Sequence, residues 1–143
     1  MRKRTLAREY ALKILYQVDL NGASEDEVFD LFWQEQPVDD EIKTFAEKLV
    51  RGTLRNMKNI DDVVAKHADN WELKRMAVVD RNILRLATYE LLYLALEIPP
   101  KVAINEAVTI AKKYSQEESG KFVNGILDKI NHTEERLADS SLH

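Results

Sequence analysis

The chain has 143 residues, of which 45% are apolar and 32% charged, with a formal net charge of −4 and no cysteine. This size and composition fit one globular domain, and they exclude a disulfide framework and a thiolate zinc site. No apolar run is long enough to span a membrane, and the basic N-terminus lacks the apolar stretch of a signal peptide. We therefore expect a cytoplasmic protein with no membrane partner.

The charge is distributed unevenly along the chain. Residues 1–13 hold five basic side chains against one acidic one, whereas residues 24–47 hold nine acidic side chains against a single lysine. A charge run is usually a solvated face, but a basic run can also contact phosphate and an acidic run can face a basic protein. Both interpretations stay open for each segment.

Hydrophobic periodicity predicts a first helix over about residues 3–20, and Gly22 follows it in the position of a C-cap. Ser24 and Glu27 form a capping-box pattern at the start of a second helix, which Pro37 closes.

A third helix begins after Asp39 and runs to about Met57, with Gly52 in its interior. In the short fourth helix Asp61 and Asp62 are expected in the first turn, where the helix dipole favours acids. These paired acids, and the pair beginning at Asp39, are therefore explained by helix starts before catalysis is considered.

The pattern breaks over residues 69–75, where we place a joint between two sub-bundles, with Trp71 packing across it. A long apolar helix is predicted over about 75–96, and Pro99 and Pro100 are expected to stop it.

The sixth helix is predicted over about 102–114 and the seventh over about 118–131. Asn124-Gly125 alone would favour a hairpin, but Phe122, Ile126 and Ile130 have helical spacing. A glycine inside a helix costs about 1 kcal/mol relative to alanine. We therefore expect Gly125 to mark a close contact with a neighbouring helix.

The predicted fold is all-α, a compact bundle of about seven helices in two packed sub-bundles. Residues 1–143 form a single domain, with an N-terminal sub-bundle at about 1–70, a C-terminal one at about 71–131 and a tail at 132–143.

The sequence contains no constellation typical of an enzyme. Its three histidines are not at metal-ligand spacing, no phosphate-binding glycine loop occurs, and neither a cysteine nor a GxSxG serine offers a nucleophile. We expect no catalysis, no metal and no cofactor.

Cations instead recur beside aromatic residues. Tyr16 follows Arg8 on the first helix, Tyr114 follows two lysines, and Phe122 follows Lys121. Cations with an aromatic ring on one accessible face suit single-stranded nucleic acid, although a ring such as Tyr16 is often plain core packing. We hypothesise that these sites converge on one surface.

Several blocks also resemble a known family in order and spacing. They are AREYALKILY at 7–16, FAEKLVRGT at 45–53, VDRNILRLATYEL at 79–91, IPPKVAINEAVTIAKKY at 98–114 and KFVNGILDKI at 121–130. Together they resemble the NusB family of transcription antitermination factors over nearly the whole chain.

The resemblance implies a non-catalytic helical protein that binds the boxA element of nascent ribosomal RNA leaders. It implies a heterodimer with NusE, a small-subunit ribosomal protein, and indirect association with other antitermination factors and RNA polymerase.

The resemblance also implies site residues. Asp80 is expected to face NusE. The residues expected to contact RNA are Arg2, Lys3, Arg4, Arg8, Tyr16, Tyr114, Glu118, Lys121 and Phe122, with Arg81 and Arg85 as candidates for the same surface.

Two other functions fit parts of the sequence. A similar helical domain precedes the catalytic part of certain ribosomal-RNA cytosine methyltransferases, but this sequence has no room for a cofactor-binding sheet and no catalytic cysteine. A protein-binding adaptor without RNA specificity, using the acidic face of residues 24–47, is the alternative. Salt-sensitive RNA binding separates the adaptor from the RNA-binding protein.

Overall fold

A computed structural model of the chain describes residues 2–69 and 72–137, and within these ranges it contains seven α-helices and no strand. The helices are α1 Lys3–Asn21, α2 Glu25–Glu35, α3 Asp40–Arg55, α4 Met57–His67, α5 Val78–Tyr93, α6 Pro100–Tyr114 and α7 Glu117–Thr133, with a short 3-10 turn at Leu73–Arg75 before α5. The prediction of an all-α bundle is confirmed.

Helix α5 is the centre of the bundle. It packs against α1, α3, α4, α6 and α7, and its run from Ile83 to Leu92 is buried apart from Arg85. A helix that is apolar on nearly all sides is typical of such a central position. The division into two sub-bundles at residues 69–75 stays a prediction, and Trp71 lies outside the described residues.

Local capping follows the sequence closely at the first three helices. Gly22 adopts a left-handed conformation with φ 66°, and its N–H donates to the Val18 carbonyl at 3.0 Å. The Ser24 hydroxyl accepts from the Glu27 N–H at 3.3 Å, and Asp39 accepts from the Ile42 N–H at 3.1 Å. The predicted caps of these helices are confirmed.

The prolines act differently from the prediction. Helix α5 already ends at Tyr93, whereas Pro100 is the first residue of α6. Proline suits this position because its fixed φ is helical and the N–H that it lacks would have no partner in the helix. Pro99 and Pro100 therefore begin a helix and do not stop the preceding one.

The explanation of Asp61 and Asp62 by a helix start is wrong. Helix α4 begins at Met57, so both residues lie in its second turn. Asp61 instead accepts two hydrogen bonds from Arg85, at 2.8 and 3.0 Å.

The expected close contact at Gly125 is also wrong. Gly125 is exposed, and a Cβ built on it meets nothing within 4 Å. The close contact is at Gly52 on α3, where a Cβ would overlap the buried ring of Tyr89 on α5. The absence of a side chain at Gly52 lets α3 and α5 pack with that ring between them.

Among the residues that the structure describes, no helix is both long enough and apolar enough to cross a bilayer.

Candidate nucleic-acid interface

The end of α6 meets α1 through a buried carboxylate. Lys113 Nζ donates to Oε1 of Glu9 at 2.7 Å, and the Tyr114 hydroxyl donates to the same oxygen. Burial alone would raise the pKa of Glu9, but the hydrogen bonds from Lys113 and Tyr114 outweigh it and hold the pKa below its ordinary value. The structure thus brings the Lys113–Tyr114 pair against the first helix.

Lys13 extends this contact along α1. Its ammonium lies 5.6 Å from the centroid of the Tyr114 ring, and Lys113 lies 5.2 Å from the same centroid, both within cation–π range. Tyr16 follows Lys13 by three residues, so the two share one face of α1. The Tyr16 residue is 37% exposed and leaves part of its ring open to a partner.

The start of α7 presents a second group of predicted residues. Lys121 and Glu118 are exposed, whereas Phe122 is half-buried and packs against the core. Phe122 and Glu118 line a shallow pocket of about 190 Å³ together with Met76 and Asp80. One edge of the Phe122 ring is therefore fixed in place beside an open concavity.

Asp80 is one of the residues that line this pocket. Its Oδ2 accepts from the Ser119 hydroxyl at 3.1 Å, and Ser119 lies 2.9 Å from the Ser115 hydroxyl. Its Oδ1 is buried and has no hydrogen-bond partner within residues 2–69 and 72–137. Buried polar atoms are nearly always paired, so an unpaired carboxylate oxygen at this place is unusual.

The N-terminal cations are exposed but already lie near acids. Lys3 Nζ is 2.7 Å from Glu41, and Arg4 is 3.2 Å from Glu97. Arg2 is the most exposed of the three, with 89% of its side chain accessible. Exposed ion pairs contribute little, about 0–1 kcal/mol, so these cations can exchange their partners for phosphate.

The predicted residues lie towards two ends of α1. The contacts Ser119–Asp80 and Asp19–Arg81 put the C-terminus of α1, the start of α5 and the α6–α7 junction at one end of the bundle. Arg4 lies at the other end, about 18 Å from Tyr16 at 1.5 Å of helix per residue. A ligand has to follow α1 to touch both groups.

Arg8 is not at the surface, contrary to the prediction. Its side chain is only 3% exposed, and the guanidinium donates to both carboxylate oxygens of Glu90 at 2.8–3.0 Å. A second acid, Glu106, is 3.5 Å away. Burial raises the pKa of Glu90, and the Arg8 charge opposes that rise. Arg8 is committed to this buried cluster and is unavailable for a phosphate contact in this structure.

Arg81 and Arg85 are likewise held inside an ion-pair network. Arg81 donates to both oxygens of Asp19 at 2.7 and 3.0 Å, and Arg85 joins Asp61 to Asp19. Their side chains are 16% and 12% exposed. These arginines connect α1, α4 and α5 and are not free cations of the predicted surface.

Sequence reasoning missed the role of Glu9. In the sequence, Glu9 is only the single acid of a basic segment. In the structure, it accepts hydrogen bonds from Lys113 and Tyr114 and so holds both against α1. A signal was present, because Glu9 and Lys13 stand at i and i+4 and therefore on one helix face.

Within the described part of the chain, no group of three or more histidine, aspartate or glutamate side chains is arranged to hold a metal ion. We use the name basic–aromatic surface for the accessible or partly accessible basic and aromatic residues at the α6–α7 end of the bundle, together with Glu118. Its members are Lys13, Tyr16, Lys113, Tyr114, Glu118, Lys121 and Phe122.

The helices surround one core, and basic and aromatic side chains lie together at one end of the bundle. These features are typical of an all-helical binding protein. A family model described as the NusB family matches residues 5–132, and the chain belongs to that family. This membership confirms the resemblance noted in the sequence. It also confirms the prediction that the chain is not an enzyme, since the NusB family is one of transcription antitermination factors.

Relatives match over nearly their full length. The transcription antitermination protein NusB of Anaeromyxobacter sp. (strain Fw109-5) is 50% identical over 129 residues, which cover 90% of this chain and 89% of the relative. The protein of the same name from Thermodesulfovibrio yellowstonii is 44% identical, covering 90% and 91% respectively.

Solved structures agree with the fold. NusB of T. maritima superposes with a TM-score of 0.83 at 39% identity, covering 96% of this chain and 94% of that one. A chain in the crystal structure of antitermination factors NusB and NusE in complex with dsRNA gives a TM-score of 0.83 at 35% identity, covering 92% and 98%.

Proposed function

We propose that this protein is a transcription antitermination factor that binds single-stranded boxA-type RNA of ribosomal RNA leaders together with the ribosomal protein NusE. The observation that carries the proposal is the basic–aromatic surface, on which exposed lysines lie beside partly accessible aromatic rings. The relatives named as antitermination proteins and the complex of NusB and NusE with RNA support it. The protein acts in the cytoplasm, where other antitermination factors and RNA polymerase are indirect partners.

The surface offers the two kinds of contact that RNA recognition needs. Lys121, Lys13 and the N-terminal cations meet phosphates and position the strand, while Tyr16 and Phe122 stack on unpaired bases. Glu118 would be a poor neighbour for phosphate, but it can accept from the exocyclic amine of a base.

Three of the residues predicted to contact RNA are not proposed as direct contacts. Arg8, Arg81 and Arg85 act instead by holding α1 against α5, so that the cations and rings of α1 are presented in a fixed position. Their substitution affects RNA binding through the fold.

Asp80 is the proposed contact to NusE. The pocket that Asp80 shares with Met76 and Phe122 places a carboxylate beside apolar side chains, and this combination fits a partly apolar partner side chain that carries a donor. Because Phe122 and Asp80 line the same pocket, NusE bound there lies directly beside the RNA surface and adds its own basic charge. Because the protein is acidic overall, we expect it to bind RNA more tightly as part of this heterodimer than alone.

The test is fluorescence anisotropy of a labelled boxA RNA against a scrambled RNA, with and without NusE. We expect boxA to bind more tightly than the scrambled RNA, and NusE to increase the affinity for boxA. If NusE binds the protein while neither RNA does under any condition, the function is that of a protein adaptor and the RNA proposal is wrong.

A further inference from the structure

The side chain of Lys112 on α6 lies in a slot directly against Gly120 of α7, with too little space for an added Cβ unless the lysine stem shifts. A Cβ built on Gly120 would stand 3.0 Å from both Cγ and Cε of Lys112 and 3.6 Å from its Cδ. The two separations of 3.0 Å are shorter than ordinary van der Waals contact, and Gly120 itself is buried. The aliphatic stem of Lys112 therefore runs across the first turns of α7, as long basic side chains do when they cover apolar surface.

The ammonium at the end of this stem is free. Lys112 is exposed, and no acidic side chain within residues 2–69 and 72–137 pairs with it. Its neighbour Lys113 is bound to Glu9 at 2.7 Å, and Lys3 is bound to Glu41 at 2.7 Å. Lys112 thus differs from most cations of the predicted surface, since its stem is held while its charge has no partner.

The position of Lys112 relates it to RNA. The residue after Gly120 is Lys121, so the held stem of Lys112 crosses α7 directly beside the proposed phosphate contact. Glu117 and Glu118 of the same turn are exposed, and they would repel a phosphate chain unless cations lay close by. A lysine whose stem is already ordered loses less side-chain entropy when it binds an anion than a freely rotating one.

We propose that Lys112 is a further phosphate contact of the RNA surface and that Gly120 is the positioning residue that holds it there. This inference rests on the proposed function and extends it to two residues that the family resemblance did not supply. The ligand is the sugar–phosphate backbone, whose charge does not depend on base sequence. Lys112 therefore contributes equally to boxA and to scrambled RNA.

The first experiment measures the affinity of Lys112→Ala for labelled RNA at several salt concentrations, with NusE present. One contact to a single strand contributes about 0.7 to the slope of log affinity against log salt. We expect the slope to fall by about 0.7 and the affinity to fall about fivefold at 0.1 M salt. Lys101→Ala is the matched control, because Lys101 is also an exposed lysine of α6 without an acidic partner in the described structure, but it lies at the other end of the helix. It should change neither quantity.

The second experiment tests the positioning role by a double-mutant cycle. Gly120→Ala should weaken RNA binding, but by less than Lys112→Ala, because the added methyl shifts the stem while the lysine keeps its charge. In the Lys112→Ala background the same substitution should have no further effect, since the slot is then empty. Circular dichroism and a thermal melt establish that each variant is folded, and the Lys112 result stands alone if Gly120→Ala does not fold.

The outcomes separate the inference from the proposed function. An unchanged slope for Lys112→Ala in a wild-type background that binds RNA overturns the inference alone. If Gly120→Ala weakens RNA binding equally in the wild-type and the Lys112→Ala backgrounds, the positioning role is overturned. If Lys112→Ala binds NusE more weakly in the absence of RNA, Lys112 is a protein contact and the inference is wrong. A wild-type protein that binds no RNA overturns both the inference and the proposed function.

Discussion

The cations of this protein divide into two groups with different surroundings. The arginines between α1 and α5 include the buried Arg8 and the half-buried Arg85, and each pairs with two carboxylates. The lysines at the α6–α7 end, represented by Lys121, are exposed. Arginine suits the first role because its planar guanidinium binds carboxylates in pairs, whereas a lysine remains hydrated and can exchange partners. The comparison shows that the number of charges in a segment does not indicate which of them can reach a ligand.

The largest effect is expected from removing Arg8. Arg8→Ala leaves Glu90 buried without its partner, and breaking a buried pair in this way costs about 3–5 kcal/mol. Urea denaturation measures the loss. A double variant, Arg8→Met with Glu90→Leu, removes both charges and should recover most of the stability. If Arg8→Ala instead keeps wild-type stability and lowers the salt dependence of RNA binding, Arg8 belongs with the exposed cations.

The glycines provide a second contrast between interior and surface. Gly52→Ala forces a methyl group into the Tyr89 ring and should destabilise the protein by about 3 kcal/mol, the upper part of the range for overpacking. Gly125→Ala meets no obstacle and should stabilise it by about 1 kcal/mol through helix propensity. Thermal melts of the two variants should move in opposite directions. A loss of stability in Gly125→Ala would contradict the open surroundings of that residue.

A smaller loss of stability is expected from Arg85. Arg85→Ala leaves Asp61 and Asp19 without a shared partner and should cost about 2 kcal/mol, the value typical of hydrogen bonds to charged groups. The matched control is Arg4→Ala, which removes an exposed arginine and should cost less than about 1 kcal/mol. Chemical denaturation of both variants checks the difference. Equal losses of unfolding free energy in the two variants would show that Arg85 and the exposed Arg4 do not differ in role.

The smallest effect concerns the pH dependence at Glu9. Its folded-state pKa lies below the ordinary 4.5 because of Lys113 and Tyr114, despite burial. A lowered pKa stabilises the fold above the unfolded value, and this stabilisation is lost as the pH falls through the folded value. The stability difference between wild type and Glu9→Gln should therefore be about 1 kcal/mol near pH 7 and shrink below pH 4.5. A difference that grows in acid would reverse the sign of the shift.

Much of the fold could be predicted from the sequence because its signals are local. Helical periodicity and the caps at Gly22, Ser24 and Asp39 involve residues within one or two turns, and the structure confirms them. The predicted end of α5 lies three residues too late, because apolar residues continue beyond Tyr93 into the turn before Pro99.

The site was harder to predict because it depends on which residues face which helix. Hydrophobic periodicity along the helices does not reveal that Arg8 pairs with Glu90 of α5, or that Arg85 pairs with Asp61 of α4. The same limit explains the two glycines, since Gly52 and Gly125 look alike in sequence and only the neighbouring helix distinguishes them. Local patterns found the aromatic and basic pairs, but only the packing of helices far apart in the chain shows which cations remain free.

The most direct test of the central claim is the salt dependence of boxA RNA binding by wild type and by Lys121→Ala, measured by anisotropy with NusE present. Wild-type affinity should fall steeply with salt, and the slope of log affinity against log salt should be smaller by about 0.7 in the variant. An unchanged slope and affinity in Lys121→Ala would contradict the claim that the free cations at the α6–α7 end bind the RNA.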